Sequence, residues 1–151
     1  MKKILVFICI TVFLFACNQS SVSNGAEEAH HHDTSESTEL TLNNGAKWQA
    51  DSNTNRHLAG IKTMANMFRV APFPTADRYQ IFGSDIQMKL DTLVRDCTLK
   101  GAPDEALHKW MMPILRQSRD LITISDTAKA RLIFDSLDNR INIYYDYFEE
   151  V

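Results

Sequence analysis

From residue 51 to the C-terminus, apolar residues recur every three or four positions, and prolines, glycine and polar pairs interrupt that rhythm three times. A repeat near 3.6 residues lines one face of an α-helix with apolar side chains, so this chain must pack several amphipathic helices against one another. The first segment, residues 54–71, carries Leu58, Ile61, Ala65 and Phe68. Pro72 and Pro74 end it, because proline lacks a backbone donor and restrains the residue before it. The second, residues 75–99, places Tyr79, Phe82, Ile86, Leu90, Leu93, Val94 and Cys97 on one face, with Lys100-Gly101 as a stop signal.

The third segment starts at Pro103, with Asp104 and Glu105 in its first turn, where the helix dipole favours anions. Its stripe is Leu107, Met111, Ile114, Ser118 and Leu121, and Pro113 inside it is expected to kink it. The fourth starts after Ser125-Asp126, a good N-cap pair, and carries Ala130, Ile133, Leu137, Ile141, Tyr144 and Phe148 nearly to the end. Four such helices with short connections read as an all-α, up-down-up-down four-helix bundle over residues 51–151.

What precedes the bundle is of other character. Residues 40–50 alternate Leu40 and Leu42 with Thr41, then turn at Asn43-Asn44-Gly45, which reads as a short extended arm with Trp48 packed on the domain. Residues 17–39 are rich in Ser, Asn, Glu, Thr and His, with almost no large apolar side chains. Such a stretch cannot build a core and reads as a disordered, flexible tether. Residues 1–16 open with Lys2-Lys3, followed by an apolar run from Ile4 to Phe15 that is too short for a spanning helix, which needs about 20 residues. That is the form of a signal peptide. Leu14-Phe15-Ala16-Cys17 resembles the lipobox of bacterial lipoproteins, which implies cleavage before Cys17 and lipid on its thiol. More than one acyl chain makes such attachment stable. Asn18 stands where an Asp would resemble an inner-membrane retention signal. The expectation is a chain anchored by lipid in the cell envelope, at the outer membrane and facing the periplasm.

This accounting isolates one thiol. Of three cysteines, Cys9 leaves with the signal and Cys17 takes the lipid, so only Cys97 remains in the domain. A single thiol in an oxidising compartment cannot close an internal disulfide. It is buried as a small hydrophobe, serves as a ligand, is redox-active or pairs with another chain. The charge balance speaks against nucleic acid: the chain carries −3 in all, and 14 basic against 19 acidic residues once Lys2 and Lys3 are removed.

In an up-down bundle the turn between the second and third helices lies at the end where the first begins. His57, Cys97 and His108 would then fall at similar height, and a thiolate with two imidazoles suits copper or zinc. The plain alternative is a buried structural cysteine and two boundary histidines. His30, His31 and His32 form a second candidate metal-binding tract, beside the alternative of a polar tether that happens to hold histidines. No haem is expected: CxxCH is absent, and the fourth helix has no histidine to serve as an axial ligand. No Ser-His-Asp set, phosphate loop or glycosidase carboxylate pair stands out, so no enzyme activity is expected.

Residues 48–151 resemble a family of small Gram-negative envelope lipoproteins with a lysine-tryptophan arm and a helical bundle. The resemblance rests on Asn44-Gly45-Ala46-Lys47-Trp48, Cys97-Thr98-Leu99-Lys100-Gly101 and Leu107-His108-Lys109-Trp110. The family's second block often reads Cys-Thr-Met-Lys-Gly and is followed by two histidines four apart. Here Leu99 replaces the methionine and Asp104 stands at the first histidine. The resemblance implies a non-enzymatic envelope protein that keeps Cys97 and His108 as ligands, with Asp104 and His57 as substitutes for what is lost. Two functions follow as expectations: capture or buffering of a transition metal, and, as the alternative, a structural or interaction module docking on another envelope component.

Overall fold

A computed structural model describes residues 39–72 and 74–151. The signal segment, Cys17, the His30–His32 tract and all of the tether except Glu39 lie outside the described residues. The described part is mostly helical: α1 (Ser52–Arg69), α2 (Ala76–Asp96), α3 (Ala102–Thr123), α4 (Thr127–Asn142) and a single turn, α5 (Tyr144–Tyr147). Two three-residue strands, β1 (Trp48–Ala50) and β2 (Phe148–Glu150), pair in parallel, with Trp48 opposite Phe148 and Ala50 opposite Glu150. No described helix is long and apolar enough to cross a membrane.

The first and third helices bury the faces their periodicity marks. Leu58, Ile61, Ala65 and Phe68 of α1 are buried, as are Leu107, Met111, Ile114, Ser118 and Leu121 of α3. A fully buried Leu or Ile side chain contributes about 1.5–3 kcal/mol, so these stripes supply most of the drive to fold. Phe68, Tyr79, Phe82 and Phe134 pack ring against ring, with centroids 4.5 to 6.3 Å apart. A second aromatic group joins Trp110, Tyr144 and Phe148, with Phe148 stacked on Tyr144 at 4.6 Å. In α4 it is Phe134 that is fully buried, while Ile133 is half-buried, and Trp110 joins the stripe of α3. The helix runs unbroken through Pro113.

Two helix ends and one face position differ from the sequence expectation. α2 stops at Asp96, and Cys97 is extended (φ −69°, ψ 132°) rather than helical. Val94, expected on the core stripe, is exposed. The helix ends early because the next residue is held elsewhere: the Thr98 N–H and hydroxyl both donate to Asp51. The chain then turns through Gly101, whose φ of +64° and ψ of −140° strain any residue with a Cβ. At the C-terminus the fourth helix does not run on. It ends at Asn142, and the last residues become β2 against the arm. Tyr144 and Phe148 remain buried, so the apolar spacing was a true burial signal read with the wrong backbone. The arm itself turns as its sequence predicts: Asn43 and Ala46 exchange both backbone hydrogen bonds, and Asn44 and Gly45 take positive φ. Trp48 packs against the core and donates from Nε1 to the Thr41 carbonyl.

Candidate metal centre at the turn between α2 and α3

The extended turn after α2 is held by the first turns of α1. Asp51 caps α1 by accepting from Thr54 N–H at 2.7 Å. Its other oxygen accepts from Thr98 N–H at 2.9 Å and from the Thr98 hydroxyl at 2.8 Å. On the far side of Cys97, Asp96 lies 2.8 Å from His57 Nε2, and Asn53 Nδ2 reaches the Asp96 carbonyl at 3.5 Å. Both neighbours of Cys97 are therefore gripped by α1. Burial alone would raise the Asp51 carboxyl; the hydrogen bonds from Thr54 and Thr98 outweigh it and hold the group at about 2. The Asp96 carboxyl is also lowered, chiefly by its hydrogen bond with His57.

Beneath this turn lies a pocket of about 190 Å³ between α2 and α3. Cys97 and His108 both line it, together with Asp104, Met111 and Lys100. Cys97 is half-buried and forms no disulfide. His108 is half-exposed, and its Nδ1 sits 2.9 Å from the Asp104 carbonyl. A carbonyl only accepts, so Nδ1 carries the hydrogen there, and the lone pair of a neutral ring stays on Nε2. Many metal-bound histidines are oriented in this way, one ring nitrogen donating to a carbonyl while the other faces the metal.

The structure thus brings two of the three expected ligands to one pocket. His57 is not among the lining residues; its Nε2 is engaged with Asp96. Among the described residues no three His, Cys, Asp or Glu side chains converge as a ready metal-holding group. Asp104 lines the pocket, as does Met111.

The grip by Asp51 and Asp96 was not read from the sequence. Asp51 just before a helix is a recognisable N-cap. Nothing in residue spacing announces that its second oxygen takes Thr98, 47 positions away. A buried polar group at the same end was likewise unforeseen. Asn55 donates to the Ala50 and Asp51 carbonyls and accepts from the Tyr144 hydroxyl at 3.1 Å. Burial of Tyr144 pushes its phenol well above the usual range.

No protein-family model, curated protein or solved structure matches this chain.

Proposed function

We propose that this chain is a lipid-anchored envelope protein that captures a soft transition-metal ion, copper(I) or zinc(II), in the pocket between α2 and α3. The single observation that carries this reading is the placement of Cys97 and His108 on one pocket, with His108 Nδ1 committed to a carbonyl. The Cys97 thiolate and His108 Nε2 are the primary ligands, and Met111 and Asp104 are on hand to complete the shell. Binding at the thiol displaces its proton. The His30–His32 tract adds a second, looser capture point. Lipid on Cys17 holds the protein to the outer membrane, and residues 17–39 give the domain reach into the periplasm. The architecture in this reading is the up-down-up-down bundle of the small envelope lipoproteins the sequence resembles. That β1, which leads into α1, pairs with β2, which follows α4 and α5, supports a bundle whose first helix begins and whose fourth helix ends on one side, as that topology requires.

Titration of the full chain with copper(I) against a chelator of known affinity tests the site. Cys97→Ser and His108→Ala are expected to weaken binding at least tenfold each, and His57→Ala to leave it within about twofold. Equal affinity in the Cys97→Ser and parent proteins overturns the reading. Mass analysis of the N-terminal peptide tests the anchor. Diacylglyceryl on Cys17 is the expected result, and an unmodified Cys17 in the membrane fraction contradicts it.

A second reading, a non-catalytic module that docks on another envelope component, is favoured by exposed apolar side chains along one side of the domain. Met67, Ile81 and Met88 each keep at least 60% of their surface exposed.

A further inference from the structure

The exposed side chains of α2 carry a pattern that its core-facing stripe does not explain. Arg78, Ile81, Asp85 and Met88 follow one another at steps of three, four and three, so they form a second stripe along the helix. Ile81 is 60% exposed and Met88 61%. With α1, Arg78, Ile81 and Asp85 of this stripe border a groove of about 610 Å³, whose floor includes Met64 and Phe68 and whose rim includes Met67, 68% exposed. Arg78, Asp85 and Lys89 line the groove, yet none of the three side chains forms an ion pair or hydrogen bond among the described residues. Other surface charges do pair: Arg69 with Asp138, and Arg131 with Asp135. An apolar groove flanked by unmatched charges of opposite sign marks a surface that lacks its partner.

The order of those charges selects the partner. Arg78 and Asp85 stand on either side of Ile81, and the midpoint between them falls at positions 81 and 82. Two α2 helices laid antiparallel about a two-fold axis at that midpoint set Arg78 of each copy against Asp85 of the other. Ile81 meets its own counterpart at the axis. The end of α1 adjoins the start of α2, so Met67 lies level with the first turns of α2, where Met88 of the second copy arrives. One patch thus satisfies itself in both directions, which is the requirement of an isologous two-fold interface. We infer that the α1–α2 groove is occupied by a second copy of this chain, in an antiparallel α2–α2 dimer. This inference does not depend on the metal site, which lies between α2 and α3.

Sedimentation velocity on the detergent-solubilised full chain tests it, with circular dichroism confirming that each variant folds. The parent is expected to be a concentration-dependent dimer. Arg78→Asp and Asp85→Arg each create two repulsive contacts across the axis and are expected to weaken association at least tenfold. The double variant with both substitutions restores both pairs and is expected to return to near the parent affinity. A cysteine introduced by Ile81→Cys in a Cys97→Ser background is expected to crosslink between copies in membranes. A parent that stays monomeric, single variants that dimerise like the parent, a double variant no better than either single one, or a stable complex only with a different protein would overturn the inference.

Discussion

Asp51 is the side chain that ties the start of α1 to the turn carrying Cys97. One carboxylate caps a helix and holds the backbone and hydroxyl of Thr98 beside the candidate ligand Cys97. Asp51→Asn keeps an oxygen that can cap α1 but puts an NH2 where Thr98 donates, and is expected to lower stability at neutral pH by about 1–2 kcal/mol, the usual scale for hydrogen bonds to a charged group. The sign of its pH dependence follows from the direction of the shift. The folded carboxyl titrates at about 2 against an unperturbed 3.8, so its contribution is present above about pH 4 and is lost as pH falls toward 2. Chemical denaturation of parent and Asp51→Asn proteins across that window should show the gap closing as pH drops. A gap of constant size would show that folding does not favour the ionised Asp51 carboxylate.

The packing of α2 on α3 is set by a glycine. A Cβ at Gly83 would stand 2.6 Å from the Ser118 carbonyl and 3.0 Å from Leu121 Cβ, both on α3. Gly83→Ala is therefore expected to destabilise by about 1–3 kcal/mol through overpacking, despite the better helix propensity of alanine. Gly60, on α1, has open space at the same position, and Gly60→Ala is expected to stabilise by about 0.5–1 kcal/mol. Thermal unfolding of the two variants should move in opposite directions.

The contrast shows what residue order alone conveys. The stripes of α1 and α3 were legible because burial imposes a helical period that propensity does not oppose. The end of α2 was not, because Cys97 continues the same period and only the distant Asp51 pulls Thr98 out of the helix. Tyr144 and Phe148 likewise satisfied a four-residue spacing, while pairing with residues 48–50 decided that the backbone at Phe148 is a strand. At the site, Cys97 and His108 were legible as neighbours across a short turn. The engagement of His57 with Asp96 was not, since a helical wheel fixes a face and not a rotamer.

Across the whole molecule, the β1–β2 pair ties the residues entering α1 to those leaving α5. Phe148 is the anchor of that closure: 1% exposed and stacked on Tyr144, which in turn bonds Asn55. Phe148→Ala is expected to cost about 3–5 kcal/mol and to unfold the domain at a lower denaturant midpoint. A cost below about 1 kcal/mol would mean that the C-terminal strand is an appendage rather than part of the core. The same closure keeps α1 in place over the α2–α3 turn, so the geometry of the pocket lined by Cys97 and His108 is a property of the complete domain.

The most direct test of the account is the metal content of the purified full chain after loading with copper(I) or zinc(II) and removal of excess. His30, His31 and His32 are replaced by alanine so that only the folded domain is read. One ion per chain in that protein and in its His57→Ala version, falling close to zero with Cys97→Ser or His108→Ala, is the predicted result. Equal and negligible metal in all four proteins would contradict it.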